Sequence, residues 1–311
     1  MTTITDGSGN YHFANIDTDN FYNVTPSLAN YQFSPPARSF SLVGNKTDAV
    51  FTATADAVAS ANAIDTTEYF VRQQYLDFLN REPDQDGFEY WSEQINRCNG
   101  DAVCIRARRI DVSAAFFVEQ EFQQTGSFIY DLYVGALGRR PTFAEYSNDQ
   151  QQVIGGANLE AEQWAFVNSF VQRPEFVARY QADMNADSFV EALIQRVQQS
   201  SGVDLTSQRA GLISNYMSGT TTNEGRALVL QALADDSTFK QVNYNSAFVL
   251  AEYFGYLRRD PDQAGYDFWL NILNNREPGN LRGMVCSFIT SAEYQMRFSS
   301  VVTHSNADCG R

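Results

Sequence analysis

Tyr75-Leu76-Asp77-Phe78-Leu79-Asn80-Arg81-Glu82-Pro83-Asp84-Gln85-Asp86-Gly87-Phe88-Glu89-Tyr90-Trp91 returns 178 residues later, from 75 to 253 and from 91 to 269. The second version reads Tyr253-Phe254-Gly255-Tyr256-Leu257-Arg258-Arg259-Asp260-Pro261-Asp262-Gln263-Ala264-Gly265-Tyr266-Asp267-Phe268-Trp269. A fixed offset means that one supersecondary unit has been copied, and copies that lack a full core must stack on one another. The expectation is a helical array rather than an enzyme built round one pocket.

Working outward, the unit occurs four times. Phe70, Phe128, Phe189 and Phe248 open the copies, at spacings of 58, 61 and 59. Glu121-Phe122, Glu175-Phe176, Thr238-Phe239 and Glu293-Tyr294 close them. The copies span about 67–125, 126–185, 186–244 and 245–300, with three or more helices in each. In the first copy Val71, Tyr75, Phe78 and Leu79 fall on one helical face. Pro83 disfavours helix at the residue before it. Asp84 then N-caps the next helix, whose buried face is read as Phe88, Trp91 and Ile95; Asp262 and Trp269 repeat the arrangement. The second copy keeps Arg139 and Pro141 but lacks the turn. The third has Val203-Asp204 in place of a proline and no arginine in register.

Residues 1–55 read instead as short strands broken by turns. Alternation runs through Tyr11, Phe13 and Ile16 after the turn Asp6-Gly7-Ser8-Gly9-Asn10. Further strands are expected over residues 21–25, 30–33, 39–42 and 49–54. Such spacing indicates a small sandwich. Residues 56–66 are small and polar and read as a linker, and 301–311 as a tail. The fold class is thus α+β in two domains: an N-terminal β-sandwich and an all-α domain of four degenerate repeats over 67–300.

The net charge is −15. That argues against wrapping nucleic acid or an anionic membrane, which call for a basic stripe. No apolar run approaches a membrane span. The four cysteines fall into local pairs, Cys98 with Cys104 and Cys286 with Cys309. Neither pair has CxxC spacing and the chain has two histidines, which favours disulfides over zinc and an oxidising compartment. The start, Met1-Thr2-Thr3-Ile4-Thr5-Asp6, has no basic or apolar leader region. The expectation is therefore that Met1 is a boundary or that a leader has been removed.

The helical part resembles the bacterial domain-of-unknown-function family 4214. The resemblance rests on residues 75–84, Gly87, Tyr90-Trp91, Cys98 to Cys104, Ser113-Ala114-Ala115-Phe116-Phe117 with Glu121-Phe122, and the copy over 253–259. That family recurs in secreted and surface-attached bacterial proteins. The closing Ser291-Ala292-Glu293-Tyr294-Gln295-Met296-Arg297-Phe298 is similar to the end of the phycobilisome linker domain, a helical interaction fold. Residues 6–54 resemble the second half of a carboxypeptidase-regulatory-like β-sandwich, carried by residues 6–13, 22–27, 31–35 and 50–54. Its opening strands are missing, which leaves an apolar groove and unpaired backbone at an edge. Sequence removed ahead of Met1, the chain's own linker, or a strand from a neighbouring molecule would fill it. The candidate assembly surface is Tyr11, Phe13, Tyr22, Val24, Tyr31, Phe33, Val50 and Phe51.

No phosphate loop, nucleophile elbow, zinc-protease motif or EF-hand loop occurs. His12 and His304 are too few for a histidine-based triad argument, and no carboxylate pair stands out for glycosidase chemistry. Arg81, Arg139 and Arg259 recur at one place and read as helix-end arginines pairing with Glu121, Glu175 or Glu293. A groove for an anionic ligand is the alternative. Trp91 and Trp269, beside Tyr90 and Phe268, read as core, with a sugar-stacking platform as the alternative. Glu82, Asp84 and Asp86 offer calcium an acidic turn, though an N-cap explains Asp84 without a metal. The expected function is a non-catalytic, cofactor-free secreted or surface protein. Its partner is protein, foremost itself, joined into a fibre or layer by strand addition. Extracellular polysaccharide binding is the alternative, and an appendage of a secreted hydrolase the third.

Overall fold

The computed structural model describes residues 3, 5–6, 8–13, 16–18, 20–28, 31–55, 61–118 and 120–309. Helices dominate, with two small antiparallel sheets near the N-terminus. The chain forms two compact units. One draws on residues 1–77, 82–115 and 280–311, the other on 78–81 and 116–279. The boundary does not follow the line between strands and helices.

Each repeat holds four helical stretches in the same order. The first has helices Thr67–Gln74, Gln85–Asn96, Ala102–Val118 and Gln120–Gln124. The second has Gly126–Leu132, Phe143–Gln150, Leu159–Phe170 and Pro174–Arg179. The third has Ala186–Ser201, Arg209–Ser218 and Thr222–Asp235. Its closing helix then runs unbroken, as Ser237–Glu252, into the opening of the fourth. Gln263–Asn271, Leu281–Ile289 and Ala292–Gln295 complete the fourth. The landmark aromatics sit in the core: Phe70, Phe128, Phe189 and Phe248 at the openings, and Phe122, Phe176, Phe239 and Tyr294 at the closings, are all buried.

The opening helix widens into a π-helical turn in three copies, over Tyr75–Leu79, Tyr133–Leu137 and Tyr253–Leu257. These are the copies that carry the Tyr-x-x-x-Leu-x-Arg pattern. The third copy stays α-helical to Ser201. All four then end on a left-handed residue: Asn80, Gly138, Gly202 and Arg258. Such a residue terminates a helix by turning the chain away from the last carbonyls. The sequence reading of one buried face was too narrow. Gln73, Gln74, Leu76 and Asp77 are buried along with Tyr75, Phe78 and Leu79.

The third residue of each π turn differs with its surroundings. A Cβ on Gly255 would lie 2.1 Å from the Phe78 ring, and one on Gly135 2.6 Å from Leu233 Cδ2. The first copy has Asp77 there, paired with Arg297 through contacts of 2.9 and 3.2 Å.

Helix starts follow local rules. Asp84 and Asp262 accept from Gly87 N and Gly265 N, both at 2.8 Å. Thr142 and Glu145 form a reciprocal capping box. Gly87 and Gly265 also make room for the Tyr75 and Tyr253 hydroxyls, which would lie 2.3 and 2.4 Å from an added Cβ. On the helix Gln85–Asn96, Ser92 and Ile95 are buried, while Phe88 and Trp91 are only half-buried. The expected three-residue core face is thus reduced to Ile95.

Both disulfides are present, with Cα separations of 5.5 Å for Cys98–Cys104 and 5.7 Å for Cys286–Cys309. Residues 61–66 do not behave as a solvated linker. They carry the turn Ala63–Asp65, with Asn62 and Ile64 buried. The expected linker positions 56–60 lie outside the described residues, as do Gly7 and Asn30 of the expected turn and strand.

The strands are β1 (Asn20–Val24), β2 (Tyr31–Ser34), β3 (Arg38–Leu42) and β4 (Thr52–Ala55). β1 pairs with β3, placing Tyr22 opposite Phe40, and β2 pairs with β4, placing Phe33 opposite Ala53. Tyr11, Phe13 and Ile16, expected in a strand, lie in irregular chain, as do Val50 and Phe51. Tyr11 and Phe13 meet edge to face at 6.0 Å, and Tyr11 lies 6.3 Å from Phe51. These ring contacts hold the segments without a ladder.

Candidate functional site

The strand region has apolar alternation but little cover. Tyr22, Val24, Tyr31, Phe33, Phe40 and Leu42 fall on the less exposed side of their strands, as period-two side-chain geometry dictates. Yet no described residue between 3 and 55 is buried. Of the eight expected surface positions, Tyr11, Phe13, Tyr22, Val24, Tyr31, Phe33 and Phe51 are half-covered and Val50 is exposed. Phe21 and Val43 are exposed as well, at 70% and 84%.

Among the described residues each strand has a single partner, so every strand is also an edge. The edges are guarded unequally. Arg38, on β3, donates from Nε to the Val50 carbonyl at 2.7 Å and lies 6.0 Å from the Phe51 ring. Lys46 lies over Phe40 and pairs with Asp48 at 2.6 Å. The Tyr11 hydroxyl donates to the Ala49 carbonyl. β2 runs into Pro35-Pro36.

The recurring arginines serve their own repeats. Arg81 forks onto Glu121 at 2.7 and 2.9 Å. Arg139 bridges Glu145 and Glu175, with Nε 3.0 Å from Glu175 Oε1 and Nη1 2.9 Å from Glu145 Oε2. The hydrogen bonds that its guanidinium donates to the Glu145 and Glu175 carboxylates push the Arg139 pKa up. Burial raises the Glu145 pKa, but the Arg139 guanidinium and the Thr142 amide outweigh it and bring it to about 2. The guanidinium likewise lowers the pKa of Glu175. Arg259 donates to the Asp260 carbonyl at 3.2 Å and lies over Tyr253.

Tyr90 and Trp91 meet edge to face at 4.8 Å, and Phe268 and Trp269 do so at 5.1 Å. Tyr90 and Phe268 are 57% and 51% exposed, and both tryptophans are half-buried. The pairs therefore lie at the surface, contrary to the core reading; Tyr266 takes the buried position of the later helix. In the acidic turn Glu82 is turned to Arg72 (2.8 Å) and Asp84 caps its helix. Among the described residues no group of three or more metal-ligating side chains converges.

Several polar clusters escaped sequence reasoning. Asp149 accepts from the Tyr133 hydroxyl and from Arg173, at 2.6–2.8 Å. Gln295 is buried and binds residues 303 and 304 through its amide, with Asn62 donating to the Gln295 and Val301 carbonyls at 3.0 and 2.9 Å. His304 then lies between Asp65 (3.0 Å) and Asp308 (3.3 Å). The expected tail is thus tied down from residue 301 to Cys309. Glu252 is wholly buried with neither carboxylate oxygen partnered, and burial drives its pKa well up. The one available signal was the polar glutamate inside an otherwise apolar run over 247–256.

These features define a class: a helical-repeat protein, closed by local disulfides, with a small two-ribbon β region at its N-terminal end. Residues 51–102 and 230–298 match the family described as Domain of unknown function (DUF4214). The matched stretches contain the two versions of the repeated motif that begin at Tyr75 and Tyr253. No curated protein and no solved structure matches the chain.

Proposed function

We propose that this chain is a non-catalytic structural protein of the cell exterior that assembles with further copies of itself through its β region. The single observation carrying the reading is the absence of a buried residue among those described from 3 to 55, despite regular apolar alternation. Two two-stranded ribbons are marginal in water, and apolar surface of this kind calls for a covering layer. The finer reading follows: the four strands are the remaining half of a sandwich that added strands complete. Two disulfides suit an oxidising compartment. Among the described residues no helix is long and apolar enough to cross a membrane.

Light scattering and negative-stain electron microscopy on the oxidised protein, over a wide concentration range, test this. Filaments, sheets or discrete oligomers are expected. A monodisperse monomer at the highest concentration overturns the reading.

The second reading, binding of extracellular polysaccharide, is favoured by the exposed rings of Tyr90 and Phe268 beside Trp91 and Trp269. Exposed aromatic faces are the usual platform for apolar ring stacking. A glycan panel followed by tryptophan fluorescence checks it, and an unchanged signal across the panel removes it.

A further inference from the structure

We infer that the Cys286–Cys309 disulfide locks a redox-sensitive latch, in which residues 61–66 and 299–309 hold each other and are released together on reduction. The two stretches interlock although they lie far apart in the chain. Asn62 Nδ2 donates to the Gln295 and Val301 carbonyls at 3.0 and 2.9 Å, and Ser299 Oγ to the Ala61 carbonyl at 3.4 Å. His304 Nε2 lies 3.0 Å from Asp65 Oδ1. Gln295, fully buried, is the edge on which the second stretch is seated. Its Oε1 accepts from Thr303 N and His304 N at 2.8 and 2.9 Å, and its Nε2 donates to the His304 carbonyl at 3.0 Å.

These bonds are not backed by apolar burial. Residues 301–305 are irregular chain, and none of residues 301–309 is buried. A hydrogen bond that replaces one to water stabilises only modestly. The covalent bond to Cys286, buried on the helix Leu281–Ile289, is therefore the decisive tether. It spans 23 positions and removes the freedom that a released stretch would regain. Cys98–Cys104 is different. It spans 6 positions, and its loop is also closed from Asp101 N to the Cys98 carbonyl at 3.0 Å. Asp101 Oδ1 accepts from Val103 N and Cys104 N as well, at 2.9 and 3.0 Å. Opening that disulfide leaves these bonds in place.

A dithiol reductant opens the latch by thiol–disulfide exchange. One thiolate attacks Cys309 Sγ, because Cys309 is half-buried and Cys286 is buried. The S–S bond breaks and Cys286 leaves as a thiolate. The second thiolate then displaces Cys309, so the reductant becomes a disulfide and each cysteine takes up one proton. Residues 61–66 lead directly into the helix Thr67–Gln74. The latch thus sets how firmly the chain is held as it enters the first repeat.

Hydrogen exchange read by mass spectrometry on the full-length protein tests this. Cys309→Ser should exchange at least about tenfold faster than the parent over 301–309. Residues 61–66 should also speed up, but by less, because Arg109 still holds the Ile64 and Thr66 carbonyls. Helical circular dichroism should be unchanged, and Cys98→Ser with Cys104→Ser should leave both stretches at the parental rate. Parent protein treated with dithiothreitol should reproduce the Cys309→Ser pattern over both stretches. Unchanged exchange over 301–309 in both samples overturns the latch, as does a fast 301–309 beside an unchanged 61–66. Equal loosening by the Cys98→Ser, Cys104→Ser variant overturns it too. Loss of the helical signal in both samples would make the disulfide a staple of the whole fold, and the latch would fall.

Discussion

In the opening helix of the second repeat every residue from 126 to 137 is buried, whereas no described residue from 3 to 55 is. Both regions are rich in aromatics and both follow their periodicities. The difference lies in how many neighbours each periodic face finds. A repeat stacks on other repeats within one chain, so its apolar faces are covered by the same molecule. A two-stranded ribbon has one face to hide and only another ribbon to hide it against. The repeat's apolar faces are covered within the chain, whereas the described residues of the β region are at most half-covered.

The comparison can be broken most forcefully at Arg297. Its guanidinium satisfies the fully buried Asp77 at 2.9 Å, and burial is offset by this partner, which keeps the arginine's pKa raised. Arg297→Met should destabilise the chain by about 3–5 kcal/mol in urea denaturation, the usual cost of removing one partner of a buried ion pair. A loss below about 1 kcal/mol would mean that the pair is not buried as described.

Glu252 sharpens the contrast from the other side. The equivalent positions, before the tyrosine of each π turn, are Gln74 and Leu132. Gln74 is satisfied by Tyr294 and Ser113, whereas Glu252 has no partner. Its folded pKa lies above the unfolded one, so it costs stability as pH rises above the ordinary carboxylate range near about 4.3, and costs little below it. Glu252→Leu should stabilise the chain by about 1–3 kcal/mol at pH 7, with a smaller gain toward pH 4. Thermal melts at several pH values measure it.

On the β side the expected effects are smaller. Phe33→Ala should cost roughly 1 kcal/mol or less in the unassembled protein, because a half-covered ring gains only part of a full burial of about 1.5–3 kcal/mol. In assembled material the same change should cost more, read as dissociation already at a higher protein concentration. Equal costs in both states would show that no cover is added.

The smallest effect concerns the C-terminal latch. The hydrogen bond to Asp65 raises the His304 pKa against the opposing burial and Arg109. Burial pushes the Asp65 pKa up, but bonds from His304 and Thr303 bring it down overall. The histidine's contribution is complete below its unfolded value near about 6.5 and is lost as pH rises through the raised folded value. The Asp65 contribution is present above about 3.9 and is lost as pH falls through its lowered value. Hydrogen exchange in residues 301–309 should therefore be slowest between these limits. His304→Gln should flatten the upper limb and, because Asp65 loses its histidine partner, weaken the lower limb as well.

Much of the helical architecture was legible in the chain because its signals are local. Asp84 and Asp262 cap within three residues, and Cys98 and Cys104 are joined across a short loop. The arginine of the motif could be assigned to a closing glutamate because both recur. Trp91 and Trp269 were misplaced in the core because helical spacing specifies a face but not what covers it. The strand around Tyr11 failed for a related reason: alternation is present, but no ladder partner is.

By itself the sequence determined the repeat, its helix ends and the pairing of nearby cysteines, since hydrogen bonds between residues a few positions apart decide these. Tertiary structure alone decided that Asp77 meets Arg297, that His304 meets Asp65, that Glu252 is left without a partner and that no described residue from 3 to 55 is buried. Desolvation and pairing across some 220 residues or more, as at Asp77 and Arg297, depend on how the chain closes in space, and no local pattern encodes that.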